Sequence, residues 1–308
     1  MKTRNGLQLG ISLPQSFPEG RIDHAYVRAY VSAVEAQGFE GGWLTEGILN
    51  PNFYLEPVTY LSYLAAMTTR IRLGVAVIIL NTRNPVQLAK AAATLDHLCN
   101  GRLTLGVGLG AGSDNYAAFG VPAERRVARF EESIRVMKAL WTEDKATLPG
   151  DFWKLDGARM QPKPLQKPHI PVIFGGHSEP ALRRAVRMGD GWMAAGSTST
   201  EESIVSLGQI RGYLADAGRT EADFLLSKRI YVAIDEDEAR ARRRLSEALG
   251  YQYGGRDQSG VGLAATPSRA VEVLGQLREA GARHVLINPA YDHMQQMELI
   301  TAKVVPQL

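Results

Sequence analysis

The amino-acid sequence predicts an α/β fold, a (β/α)8 TIM barrel, from the alternation of short apolar runs with longer amphipathic segments. The short runs are rich in leucine and β-branched residues, which favours buried strands. Eight such runs in 308 residues favour a closed barrel over an open doubly wound sheet, in which about six or seven strands are usual. The predicted strands are residues 7–13, 42–45, 71–79, 103–107, 171–174, 192–195, 225–234 and 284–287.

The segments between these strands carry apolar residues at helical spacing. They include residues 25–37, 86–98, 129–141, 180–188, 201–217, 236–249 and 268–280. Several end next to a glycine, which is the residue that a left-handed helix cap favours. The predicted caps are Gly38, Gly101, Gly189, Gly218, Gly250 and Gly281.

Two stretches depart from the repeat. Residues 146–166 alternate between apolar and polar positions among glycines and prolines, which predicts a hairpin inserted after helix 4. Residues 250–267 predict a long loop inserted between strands 7 and 8, on the face where barrels carry their active sites. Its Tyr251, Tyr253 and Arg256 either line a substrate or only pack. The whole chain, 1–308, is expected to be one barrel domain.

Composition excludes several classes of protein. With 45% apolar and 22% charged residues the chain can form a packed core, and a net charge of +3 gives no footprint for nucleic acid. The single cysteine, Cys99, excludes an internal disulfide. No apolar run has the length of a signal peptide or a membrane span, so we expect a soluble, cytoplasmic protein that binds neither nucleic acid nor membrane.

Glycines follow two predicted strands, and these are the residues that point to a ligand. Gly108 and Gly110 follow strand 4, whereas Gly175, Gly176, His177 and Ser178 follow strand 5 and precede a helix. Backbone N–H groups at such a helix start can bind a phosphate. The alternative is that these residues only form a turn and a helix cap. The six histidines show no metal-binding spacing, so no metal site is expected.

Four blocks of sequence together are similar to the luciferase-like flavin and deazaflavin oxidoreductases. They are GFEGGWLTE at 38–46, LGVAVIILNTRNPVQLAKAAATLDHLCNGRLTLGVGLG at 73–110, PKPLQKPHIPVIFGGHS at 162–178 and GDGW at 189–192. The resemblance implies a barrel that holds coenzyme F420 or FMN, with the phosphate near the glycines after strands 4 and 5. It further implies a cis peptide between Ala76 and Val77 that supports the cofactor ring.

The end of strand 2 departs from the family. Relatives have an acidic residue followed by histidine, whereas this chain has Glu46 followed by Gly47. Glu46 is the predicted catalytic residue, since a carboxylate at the end of a barrel strand can transfer a proton or bind the ring. A purely structural role is the alternative. Glycine cannot replace an imidazole as a base.

The sequence therefore predicts an oxidoreductase that uses coenzyme F420 to transfer hydride to or from a small organic substrate. An FMN-dependent monooxygenase supplied by a partner flavin reductase is the first alternative, and a non-catalytic flavin-binding protein is the second. A third reading is a metal-free isomerase that binds a phosphosugar. The resemblance also implies a homodimer. A basic rim for the carboxylates of coenzyme F420 is available in Arg125, Arg126, Arg129, Arg183 and Arg184.

Overall fold

The structure is a computed structural model that describes residue 3 and residues 5–110, 116–253 and 260–308. Its strands coincide with the predicted ones within one or two residues at nearly every end. The strands are β1 (Gln8–Ser12), β2 (Gly41–Leu44), β3 (Arg72–Ile79), β4 (Leu103–Gly108), β5 (Ala146–Pro149), β6 (Lys154–Ala158), β7 (Val172–Phe174), β8 (Gly191–Ala194), β9 (Leu225–Ile234), β10 (Leu263–Ala265) and β11 (His284–Pro289).

The helices alternate with the strands, as the periodicity predicts. They are α1 (His24–Gln37), α2 (Pro57–Ala65), α3 (Pro85–Leu98), α4 (Arg126–Thr142), α5 (Glu179–Met188), α6 (Thr200–Asp216), α7 (Glu238–Gln252), α8 (Pro267–Glu279) and α9 (His293–Leu299). Within the described ranges no helix has the length and apolar character needed to cross a membrane.

The strand order confirms the predicted fold class. The order is β10-β9-β11-β1-β2-β3-β4-β7-β8, and an additional pairing joins β8 to β9. Eight parallel strands therefore close into a ring, while β10 pairs with β9 beyond the end of β8. This is the topology of a (β/α)8 barrel.

The chain divides into two compact units, which we describe separately. The first unit comprises residues 1–14, 23–43 and 176–308, and β9 is its central strand because it pairs with β8, β10 and β11. The second unit comprises residues 15–22 and 44–175, with β4 between β3 and β7.

The predicted insertion after helix 4 is the antiparallel hairpin of β5 and β6. Glu132 of α4 holds the turn of this hairpin, because its carboxylate accepts hydrogen bonds from the backbone N–H groups of Asp151, Phe152 and Trp153 at 3.0, 2.8 and 2.6 Å. A side chain at Gly150 would collide with the same carboxylate. Glycine is therefore required at this turn.

The seventh and eighth predicted strands are β9 and β11 of the structure. The prediction of one long loop between them is wrong in two respects. Helix α7 continues through Gly250 as far as Gln252, and residues 263–265 form β10, which is parallel to β9. The rest of the predicted loop includes residues 254–259, and therefore Arg256, which lie outside the described residues.

The glycine caps are confirmed only in part. Gly38 caps α1 in the left-handed conformation with φ of 78°, as predicted. Gly189 is extended with φ of −100°, so its prediction is wrong, and Gly250 lies inside α7. Only Asp190 separates Gly189 from β8, and an extended residue leads the chain into that strand.

Candidate functional site

The second unit contains the predicted irregularity in β3. The peptide bond between Ala76 and Val77 is cis, and the pairing of β3 with β4 shifts register between Val75 and Ile78. This position is the one that the family resemblance implies.

Three glycines make room for the Val77 side chain. A Cβ atom at Gly108 would lie 2.8 Å from Val77 Cγ2, and one at Gly175 would lie 3.3 Å from Val77 Cγ1. At Gly106 a Cβ atom would collide with the carbonyl oxygen of Val75. Gly106 and Gly108 in β4 and Gly175 after β7 are therefore needed for packing. Gly110 is needed for its backbone, since its φ is +81°.

Glu46 lies next to the end of β3 and is bound through both carboxylate oxygens. One oxygen accepts a hydrogen bond from the backbone N–H of Ile79, and the other accepts from Arg83, with Nε at 2.7 Å. The side chain is 1% exposed. Burial raises the pKa of Glu46, and the charge of Arg83 and the hydrogen bond from Ile79 offset that rise only in part.

Arg83 connects two carboxylates. Its Nη2 atom lies 2.8 Å from Glu56 Oε1 and also contacts Glu46. Glu56 in turn caps α2 by accepting from the N–H groups of Val58 and Thr59. The cluster of Glu46, Arg83 and Glu56 therefore ties the end of β3 to the start of α2.

Gly47, which follows Glu46, packs closely against the next loop. A Cβ atom at this position would lie 3.2 Å from Asn50 Nδ2 and 3.3 Å from Tyr54 Cδ1. A Cβ atom at this position would require both neighbours to shift by a few tenths of an ångström. The local packing is thus adapted to the glycine that the sequence has here.

The first unit contains the glycine turn before α5. Gly176 has φ of +122°, a Cβ atom there would lie 2.9 Å from that of Ala181, and its carbonyl oxygen accepts from Trp192 Nε1 at 2.7 Å. His177 and Ser178 are exposed. Ser178 is the N-cap residue, but its hydroxyl makes no capping hydrogen bond within the described part of the chain. A hydroxyl at a helix N-terminus is left available to a ligand.

Most arginines of the predicted basic rim contact protein groups. Arg125 pairs with Asp151 and lies over the Phe152 ring, and Arg129 also lies over that ring. In the first unit, Arg183 pairs with Glu179 and lies over Tyr213, while Arg184 is buried. Arg126 is exposed.

A family model described as "Luciferase-like monooxygenase" matches residues 6–306, nearly the whole chain. The chain belongs to the luciferase-like monooxygenase family. Named relatives of the chain include a dehydrogenase and a monooxygenase.

Relatives within the family use different cofactors. An uncharacterized protein of Mycobacterium tuberculosis is 41% identical over 45% of this chain, and the match spans about half of that relative, 49%. The F420-dependent glucose-6-phosphate dehydrogenase of Kineococcus radiotolerans is 32% identical over 74% of this chain and 68% of its own length. The FMNH2-dependent dimethylsulfone monooxygenase of Pseudomonas putida is 30% identical over 74% and 63%.

Solved structures share the fold. The monooxygenase RslO1 from Streptomyces bottropensis superposes with a TM-score of 0.83 at 22% identity, covering 97% of this chain and 99% of that one. An F420-dependent secondary alcohol dehydrogenase superposes with a TM-score of 0.82 at 19% identity, covering 100% and 99%. At these identities the likeness shows the fold alone.

A partly buried side chain, Arg83, and a fully buried one, Lys228, escaped the sequence analysis. Arg83 lies within the NTRNP block but is separated from Glu46 by 37 positions, so their pairing has no local signal. Lys228 is fully buried in β9, where it donates to the carbonyl oxygens of Ala195 and Thr198 at 2.7 and 2.6 Å. A lysine inside a strand that the sequence predicts to be buried is the signal that identifies such a position.

Proposed function

We propose that this protein is a coenzyme F420-dependent oxidoreductase that transfers hydride to or from a small organic substrate. Coenzyme F420, when bound, supplies the two-electron carrier, and the protein supplies binding, orientation and exclusion of water. The carboxyl ends of barrel strands are where such enzymes place their sites.

The arrangement of Val77 on the three glycines carries the proposal. Because Gly106, Gly108 and Gly175 have no side chains, Val77 is the side chain that occupies this place at the ends of β3, β4 and β7. A surface made of backbone and one small apolar group fits the flat face of a tricyclic ring. We propose that Ala76, Val77, Gly108, Gly110 and Gly175 contact the cofactor here.

The phosphate is assigned to the turn before α5. Gly176, His177 and Ser178 fit an anion for two reasons. The Ser178 hydroxyl makes no capping hydrogen bond within the described residues, and α5, with 10 residues, is long enough to have a helix dipole. The dipole of a helix favours negative charge at its N-terminus. Glu179 opposes an anion there, and its ion pair with Arg183 at 2.9 Å offsets that opposition.

Glu46 is proposed to act on this site by positioning. With one oxygen on Ile79 N–H and the other on Arg83, the carboxylate holds the end of β3 in place behind Val77. Proton transfer by Glu46, the role that the sequence predicts, requires breaking one of these contacts. The two roles differ in which quantities a Glu46→Gln substitution changes.

The choice of coenzyme F420 over FMN is supported by the relative from Kineococcus radiotolerans, which exceeds the FMNH2-dependent relative slightly in identity at the same coverage of this chain. The alternative is an FMN-dependent monooxygenase that receives reduced flavin from a partner reductase. Purified protein is titrated with each cofactor and followed by absorbance. We expect micromolar binding of coenzyme F420. Micromolar binding of FMN without detectable binding of coenzyme F420 would instead favour the FMN-dependent monooxygenase.

Catalysis and assembly are tested separately. Turnover of any substrate with bound cofactor distinguishes the enzyme from a flavin-binding protein without activity. The proposed homodimer predicts twice the chain mass of 33.6 kDa in light scattering after gel filtration. A monomer mass would reject the dimer and leave the proposed reaction unaffected.

A further inference from the structure

The first unit has a polar layer near the carboxyl ends of three adjacent strands. Tyr231 of β9 is registered with Asn288 of β11, and both strands are parallel. Ser12 of β1 comes one position after Ile11, which pairs with Ile287. Registered residues of neighbouring strands share a face, so the side chains of Tyr231, Asn288 and Ser12 lie side by side on one face.

Gly10, two positions before Ser12, and His284, four positions before Asn288, belong to the same face. A Cβ atom at Gly10 would lie 2.7 Å from His284 Nε2 and 2.7 Å from Trp43 Nε1. Since residues two apart in a strand point the same way, Ser12 projects above Gly10 and Asn288 above Leu286. The polar layer therefore lies on the face where His284 and Trp43 pack against Gly10.

Two oxygen atoms of the layer are buried without a hydrogen-bond partner among the described residues. They are Ser12 Oγ and Asn288 Oδ1, and the Asn288 side chain belongs to a residue that is only 9% exposed. Folded proteins pair nearly all of their buried polar atoms, so each of these oxygens points to a partner from outside the chain, either water or a ligand.

The hydroxyl groups of Tyr231 and Tyr253 add a donor to the layer. Tyr231 Oη accepts hydrogen bonds from Arg229 and from Gln252 Nε2 at 3.1 Å, which uses both of its lone pairs. Tyr231 Oη also lies 2.7 Å from Tyr253 Oη, and either hydroxyl can donate in this contact. When Tyr231 donates, the Tyr253 hydroxyl keeps its own proton for a further acceptor.

Gly196, directly after Ala195 at the end of β8, fits the Tyr231 ring closely. A Cβ atom at Gly196 would lie 2.7 Å from Tyr231 Cε2. Lys228 holds the following turn through Ala195 and Thr198. The loop after β8 therefore fixes the position of the Tyr231 ring, whose hydroxyl contacts that of Tyr253.

We propose that Ser12, Asn288 and Tyr253 bind the hydroxyl or carbonyl group of a neutral substrate, an alcohol or ketone. An alcohol oxygen can accept from the Tyr253 hydroxyl and donate to Asn288 Oδ1, and a ketone oxygen can accept from the hydroxyls of Tyr253 and Ser12. A carboxylate brings a full negative charge next to Asn288 Oδ1, so a neutral oxygen fits the layer better. The assignment rests on the proposed function, because it names the substrate class of that hydride transfer.

The first test compares stability with ligand binding. Asn288→Leu and Ser12→Ala remove the unpaired oxygens while nearly keeping side-chain volume. Because an unpaired buried polar atom is unfavourable, we expect each variant to melt at a higher temperature than the wild type without ligand. The probes are cyclohexanol, cyclohexanone and cyclohexanecarboxylate, added to the full-length protein with and without coenzyme F420.

We expect the alcohol and the ketone to raise the melting temperature of the wild type, and to raise that of Asn288→Leu much less. A lower melting temperature in both variants would show that the oxygens are paired within the protein, which overturns the proposal. Stabilisation by the carboxylate alone would also overturn it, in favour of an anion site.

The second test removes the donor. Tyr253→Phe is expected to weaken alcohol binding at least tenfold and to leave the affinity for cofactor unchanged. Tyr213→Phe is the matched control, since Tyr213 lies on α6 in the same unit and outside the layer. Equal loss in both variants, or no loss in Tyr253→Phe, would reject the role of Tyr253.

These tests separate the two proposals. If neither coenzyme F420 nor FMN binds but the alcohol still stabilises the wild type more than Asn288→Leu, the proposed function fails and the polar site stands. If coenzyme F420 binds and the probes do not distinguish the variants, the proposed function stands and the polar site fails.

Discussion

The amine of Lys228 donates to the carbonyl oxygen of Thr198 at 2.6 Å, from inside β9 to the turn after β8. It also donates to the carbonyl oxygen of Ala195 and to Thr198 Oγ1. Three acceptors around a lysine need its protonated form, and burial lowers the pKa of Lys228 to about 7. The turn is therefore held by a group that titrates near neutral pH.

A pH-dependent contribution to stability follows. Between pH of about 7 and 10.5 the unfolded chain keeps the Lys228 proton and the folded chain does not, so the free energy of unfolding rises with pH, by at most ~1.4 kcal/mol per unit. Lys228→Met removes this contribution. We expect urea denaturation at pH 6.5 and 9 to show the wild type gaining stability relative to Lys228→Met at the higher pH. A difference that is constant with pH would contradict the lowered pKa. Lys145→Met, at an exposed position, is the control.

Glu46→Gln distinguishes positioning from proton transfer. Gln keeps an acceptor for one contact but loses the ion pair with Arg83. If Glu46 positions β3, cofactor affinity and kcat both fall, whereas a proton-transfer role lowers kcat by ~10² to 10⁴ and leaves affinity intact. We expect the first pattern. Glu56→Gln, which keeps the Glu46 contact, is expected to change both quantities less.

The packing of Val77 predicts coupling between Gly108 and Val77. Gly108→Ala places a methyl group 2.8 Å from Val77 Cγ2 and should reduce the free energy of unfolding by ~1 to 3 kcal/mol. Adding Val77→Ala should recover part of that loss, which a double-mutant cycle measures. Gly208→Ala on α6 has no atom within 4 Å and should stabilise the protein slightly. Additive effects of the two changes would refute the packing explanation.

Glu132 is predicted to be the residue that stabilises the hairpin. Glu132→Gln puts an N–H donor against one of the three backbone N–H groups, so we expect a loss of ~1 to 3 kcal/mol in thermal or urea unfolding. Glu124→Gln, at an exposed position in the same unit, is expected to change little. Equal stability of both variants would show that the turn does not depend on the carboxylate.

Ser178→Ala tests the proposed phosphate site without the backbone strain that a substitution at Gly176 would add. Loss of one hydrogen bond to a charged group should weaken binding of coenzyme F420 or FMN by about tenfold. Ser246→Ala on α7 serves as the control. Riboflavin, which lacks the phosphate, should bind both variants equally, and a loss with riboflavin too would point to a general effect on the turn.

The sequence predicts the fold well because buried parallel strands are short apolar runs. It fails where an element is small or its signal is tertiary. Residues 263–265 are too few to be recognised as a strand, and their place beside β9 depends on β8 ending at Ala194. The candidate site divides in the same way: Glu46 and the glycines stand out in the sequence, whereas Arg83 and the unpaired oxygens of Ser12 and Asn288 become visible only when distant segments meet.

Strand β10 gives β9 a third neighbour at its carboxyl end, just beyond Tyr231. The backbone amides of Leu263, Ala264 and Ala265 are therefore a natural reporter of events at that end of the strand, and they lie outside the ring of eight. Slower hydrogen exchange at these three amides when substrate is added would detect binding. The measurement needs neither a labelled ligand nor an activity assay. The edge strand thus offers a way to screen compound libraries against a protein whose substrate is still to be found.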